Sequence, residues 1–228
     1  PSGGTLQDLT VQVAGGEFGA WGRLSFHDGE PFVFVNVSAD DMVLEQLLAV
    51  AGPEAPPAKG VLRAEGAFGG YLRAPHRTFG EAEVAVAQAD LGRVPLVSEL
   101  YGLLNLSLNA EKAQGRGVAR IRLEDDALVF PDVRYFNQGA DIIANARIEN
   151  IFDGKKSPLS GVAAAAVRPL RDNALPFSGQ FDRATSAITG AAVSVRIDGT
   201  LESPTTQTVP FRDVTSIFQR ILGRGSED

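Results

Sequence analysis

The side chains able to do chemistry are few and scattered. The two histidines, His27 in FHDGE and His76 in RAPHRTFG, have no H-x-H or H-x-x-x-H spacing that would converge on a metal. Glu124, Asp125 and Asp126 are consecutive acids, but the D-x-D-x-D-G order of a calcium loop is absent. They read instead as a hairpin turn. Glu81 and Glu83 lie two apart on one strand and so share a face, as a glycosidase pair would. No partner motif beside them would divide the acid and base roles. GRGVAR and AGGEFGAWG are glycine-rich, yet neither stands between a strand and a long helix as a phosphate loop does. There is no G-x-S-x-G nucleophile turn, and cysteine is absent. Trp21 and Tyr71 beside glycine could stack on a sugar, but packing is the simpler use for one ring of each kind. The chain reads as a non-enzyme, with no cofactor and no metal site.

What must be explained is therefore the scaffold. The 228 residues can bury a large core without staples. A net charge of −7, with no basic run longer than Lys155–Lys156, argues against nucleic acid and anionic membrane surfaces as partners. No apolar run approaches the length of a membrane-spanning helix. The start PSGGT, without Met or signal peptide, suggests a fragment whose anchor and targeting segments lie elsewhere.

Alternation with period two dominates. LTVQV groups Leu9, Val11 and Val13, and EFGAWGRLSF groups Phe18, Leu24 and Phe26. AAVSVRIDGTL groups Val193, Val195, Ile197 and Leu201. HDGE, EDDA and DGK are the turn signals, and some ten to twelve mostly antiparallel strands follow. Three short helices interrupt them: MVLEQLLAV behind Asp40 and Asp41, PLVSELYGLL opening at Pro95, and VTSIFQRIL over residues 214–222. The second carries Leu96, Val97, Leu100, Leu103 and Leu104 on one stripe.

The first two helices share a context of strand, Ala-Asp step, helix, polar stretch and a Gly-Val strand start, repeated at about fifty residues. A many-stranded sheet leaves open ends where apolar side chains would meet water. A short helix with one apolar stripe would plug such an end.

The strands over 31–37, 128–136 and 142–148 look apolar on both faces. A two-layer sandwich needs only one such face per strand, whereas a sheet that holds acyl chains needs more. The expected fold is thus mainly β: a large, curved antiparallel sheet with an open groove, taco-like, and two or three short capping helices. Residues 1–58 form a first β unit ending in a helix, and 60–228 the remainder, as one continuous domain. Phe32, Phe34, Leu128, Phe130, Ile142 and Ile148 are the expected groove lining.

The run GEAEVAVAQADLGRVPLVSELYGLL, the strand–turn–strand GVARIRLEDDALVFPDVRYF and the ending RIDGTLESPTTQTVPF resemble the C-terminal region of AsmA-like proteins. That group includes TamB-type and other bridge-like lipid transfer proteins of bacterial envelopes. The resemblance covers roughly residues 60–222, more loosely 5–58, and rests on Gly, Pro and apolar positions. It implies a periplasmic domain of the cell envelope, anchored to the inner membrane by a segment outside this chain. It also implies phospholipid or another acyl lipid as ligand, with adjacent β repeats or envelope proteins as further partners. The leading expectation is an extracytoplasmic lipid-binding and transport domain or an outer-membrane assembly domain, and the rival is a non-catalytic structural β-sandwich or interaction domain of the envelope. A carbohydrate-active β protein would need the acid pair that is lacking.

Overall fold

The structure is a computed structural model that describes residues 4–27, 29–51, 58–91, 94–103, 114–167 and 192–210. The alternating segments form β1 (Gly4–Val13), β2 (Gly16–His27), β3 (Glu30–Val43), β4 (Lys59–Tyr71), β5 (Ala74–Asp90) and β6 (Gln114–Glu124). They continue as β7 (Ala127–Asn137), β8 (Ala140–Ile148), β9 (Leu159–Val167), β10 (Ala192–Gly199) and β11 (Pro204–Thr208). All join one 11-stranded sheet in sequence order, every neighbouring pair antiparallel. Among the described residues there is no second sheet, so the rival sandwich is not the architecture. Pairing of β3 with β4 carries the sheet across residues 58–60 without a break.

The two ends of the sheet differ. At one end EDDA makes a tight turn, as its composition requires, while the turn expected at HDGE includes Asp28, which lies outside the described residues. At that end DGK does not close a simple hairpin. It lies in a 3-10 segment, Ile151–Lys156, where Gly154 at φ 62 lets the chain reverse. At the other end the chain leaves β3 and β5 into helices α1 (Leu44–Ala51) and α2 (Pro95–Leu103). The helix expected at 214–222 lies outside the described residues.

α1 starts later than its sequence suggests. Asp40 and Asp41 do not cap it but stay in β3, because the strand carries a one-residue bulge between Ala39 and Met42. Asp41 takes a left-handed φ of 52° there. The bulge moves Met42, 4% exposed, onto the face that Val37 and Ala39 occupy, and Asp41 to the opposite side, where it binds Arg63 at 2.7 Å.

The same device recurs. β5 carries a bulge between Val86 and Ala89, with Gln88 at φ 51°, just before its Ala-Asp step rather than after the alanine as in β3. β7 carries one between Phe130 and Val133, and β1 one between Leu6 and Leu9. Strict alternation would have placed Asp8, Asp41, Asp90 and Asp132 among the apolar side chains. Each bulge shifts the parity by one and keeps the acid off that face.

α2 sits on that face and shows that the sheet bends. In a flat sheet β5 and β11 would be six strand spacings, about 29 Å, apart. The chain leaves β5 by a turn in which Val94 N donates to Leu91 O at 2.9 Å. Five residues into α2, Glu99 accepts from Thr206 Oγ1 of β11 at 2.6 Å. Five helical residues rise only about 7.5 Å, so the intervening strands must curl round the helix. Val97, Leu100 and Tyr101 of α2 form one core with Ala89, Tyr135, Ile142, Ala163, Ala165, Val195 and Ile197. Of the expected stripe, Leu103 instead stays 39% exposed, and Tyr101 takes part in its place.

A buried polar latch holds α2 down. Asn137 Nδ2 donates to the Tyr101 hydroxyl, and Tyr135 Oη donates to Ala89 O at 3.1 Å. Asn137 Oδ1 accepts from the backbone N–H of Gly139 and Ala140, at 2.8 and 2.9 Å, across the β7–β8 turn. Tyr135→Phe should lower stability by about 1–2 kcal/mol, since it leaves the buried Ala89 carbonyl without this donor. Urea unfolding checks this, and an unchanged midpoint would mean that water reaches the carbonyl.

Candidate binding face

Pair registers assign every strand residue to one of two faces. The inner face, which carries α2, reads Phe18, Ala20, Gly22, Leu24 and Phe26 on β2, then Val33, Val35, Val37, Ala39 and Met42 on β3. It continues with Leu62, Ala64, Gly66 and Phe68 on β4, Gly80 to Val86 in even positions on β5, and Gly115 to Leu123 in odd positions on β6. β7 to β10 extend it with Leu128, Phe130, Val133, Tyr135, Ala140 to Ile148 in even positions, Ala163, Ala165, Val193, Val195 and Ile197. No Asp, Glu, Lys or Arg falls on it in these registers.

The outer face carries the charges, although over β7 to β10 its Val129, Asn145, Val162, Ala164 and Ser194 are buried. Arg120 lies across from Glu83 and binds it at 2.9 Å, and Arg122 faces Glu81. Arg134 binds Asp132 at 2.7 Å, Arg196 binds Asp198 at 2.6 Å, and Glu124 accepts from both Arg122 and Arg147. The acids that imitated a catalytic pair or calcium loop are thus members of a solvated ion-pair ladder, or sit beside it in a turn. The exposed pairs of Arg120 and Arg196 add little stability each, whereas the Arg147 guanidinium is largely buried. His76 and Trp21 are exposed, and among the described residues no cluster of metal-ligating side chains occurs.

Helices cover the inner face only in part. α2 seals the end of β5 and the middle of β7 to β10, and α1 packs at the helix end of β3 and β4. Over the rest, Leu24, Val33, Val35, Phe68, Val84, Ile121 and Leu123 stay half-buried, and Phe26 is 47% exposed. Among the described residues this concave apolar face carries no second sheet and has the form of a trough. Its walls supply dispersion contacts and exclude charge.

The six expected lining residues separate. Leu128, Phe130, Ile142 and Ile148 do share the inner face. Ile142, 5% exposed, is nevertheless in the core beneath α2 and lines no open space. Leu128, Phe130 and Ile148 lie half-buried toward the turn end, beyond the helix. Phe32 and Phe34 are corrected: they point to the outer face, because Val33 and Val35 hold the inner positions. Phe32 there meets Tyr71 edge-on at 5.2 Å and stacks with Phe79 at 6.0 Å. The two phenylalanines close over Gly69, where an added Cβ would stand 2.9–3.0 Å from their rings.

Val33, Val35, Val37, Leu62, Phe68 and Val84 were missed, although a signal was present. In PFVFVNVSA both parities begin apolar, but only one stays so: 33, 35, 37 and 39 are Val, Val, Val and Ala, while 36 and 38 are Asn and Ser. Following each parity to the strand's end identifies the inner face.

No protein-family model matches the chain, and no curated protein or solved structure shows significant similarity to it.

Proposed function

We propose that this chain is a lipid-binding domain of a cell envelope, a non-catalytic carrier that holds the acyl chains of phospholipid in its β trough. One observation carries the reading: an inner face without a charged residue across nine successive strands, kept so by bulges and, among the described residues, only partly covered by helices. A protein with no guest would cover that face or break it with polar residues. Each methylene moved from water to an apolar wall is worth about 0.8 kcal/mol, so a twelve-carbon chain gains up to about 10 kcal/mol without polar contacts. The headgroup would stay in solvent. The resemblance of the sequence to AsmA-like and TamB-type proteins supports the same reading, including a periplasmic location, membrane anchoring by a further segment and lipid movement along the trough.

The test separates the two faces of one strand. Val35 and Phe68 are cross-strand partners on the inner face, and Phe34 is the neighbour of Val35 on the outer one. Native mass spectrometry of the purified chain should show bound phospholipid. Val35→Asp with Phe68→Asp should reduce binding and extraction from phospholipid vesicles about tenfold or more, because a desolvated carboxylate opposes the acyl chain. Phe34→Asp should leave both unchanged. Absence of lipid from the wild type, or equal extraction by inner- and outer-face variants, would sink the proposal.

A further inference from the structure

The two edges of the sheet are built differently. β11 is short, opens with Pro204, continues Thr-Thr-Gln-Thr and has every residue exposed and polar apart from the proline. That is a blunted edge of the kind that avoids pairing. β1 is twice as long, contains no Pro, Lys or Arg, and carries the apolar face to its margin. Leu9, Val11 and Val13 are 52%, 43% and 37% exposed, and no described strand lies outside them. Its only charge is Asp8, which the bulge turns away from the apolar row.

We infer that β1 pairs with β1 of a second copy of this chain, antiparallel, about a two-fold axis normal to the sheet through Val11. The occupant follows from register. An axis normal to the sheet keeps both inner faces on one side, so the trough runs on from one copy into the next. Centred on Val11, it sets Val11 against Val11, Leu9 against Val13 and Thr10 against Gln12. Apolar meets apolar, polar meets polar, and the Asp8 carboxylates are kept apart. β11 would offer threonine and glutamine to the same apolar row, so the joint is like-to-like rather than head-to-tail. It holds whether or not the trough carries lipid.

Sedimentation equilibrium of the 228-residue chain over a wide concentration range should show a reversible dimer. Val11→Lys sets two ammonium groups across the axis and should raise the dimer dissociation constant about tenfold or more. Val11→Glu should do the same, and at concentrations where the wild type is monomeric the exposed position should leave the melting temperature of each variant equal to that of the wild type. Because Val11 faces its own copy, mixing Val11→Lys with Val11→Glu should restore a heterodimer near wild-type affinity. A wild type that stays monomeric overturns the inference. So does a Val11→Lys chain that dimerises as well as the parent, or a mixture in which no heterodimer forms.

Discussion

Leu100→Ala should lower the unfolding free energy by about 2–5 kcal/mol, and the upper half of that span is expected. Leu100 is fully buried, at the centre of the core between α2 and the curled part of the sheet. Its side chain loses transfer energy on truncation, and the cavity cannot collapse freely. On one side the wall is the hydrogen-bonded ladder of β8 to β10, lined by the small side chains of Ala163 and Ala165. On the other, the Tyr101–Asn137 contact pins the helix. Calorimetry or urea unfolding gives the value. A loss below about 1 kcal/mol would mean that α2 rests loosely on the sheet and that the core is not continuous. Leu100→Asp goes further. An unpaired carboxylate at that depth should lift α2, and a dye that brightens on apolar surfaces should then bind over β7 to β10 as well as over the open half.

Much of this fold is legible in the residues, and the reasons are local. SGVAAAAV and DIIANARIE alternate or are small throughout, and both are strands where they read as strands. Pro95 opens α2 at the position its fixed φ favours. The divided fates of Phe32, Phe34, Ile142 and Phe130 have a different origin. A two-sided apolar run does not say which parity faces in, and that is decided by pairing with Gly66, Phe68 and Gly70 on β4. Nor does period two survive a bulge. Asp40 and Asp41 look like helix caps because Asp before an apolar helix usually is one, yet a parity shift serves the sheet better there. Both strands that enter helices carry a bulge near the recurring Ala-Asp step, after Ala39 in β3 and before Ala89 in β5. The meaning of that step lay in tertiary pairing, which no window of neighbouring residues contains.

Alkaline pH should unlatch α2 through its tyrosines. Burial beneath the helix, only partly offset by the hydrogen bond to Asn137, pushes the Tyr101 hydroxyl up to about 12. Burial pushes Tyr135 up as well. An unfolded tyrosine releases its proton near pH 10, so between about 10 and 12 the folded state binds more protons than the unfolded state. Stability is therefore unaffected by this group below about pH 10 and falls above it, by up to about 1.4 kcal/mol per pH unit for each such tyrosine. By about pH 12 Tyr101 alone should account for a loss on the order of 2–3 kcal/mol. Urea midpoints followed from about pH 8 upward give the slope, and Tyr101→Phe isolates the contribution, since lysines titrate alike in both proteins. The variant starts less stable, because Asn137 loses a partner, but its curve should be flatter above about pH 10. Parallel curves for the two proteins would show that the Tyr101 hydroxyl is open to water, and the latch would then not be what keeps α2 on the sheet.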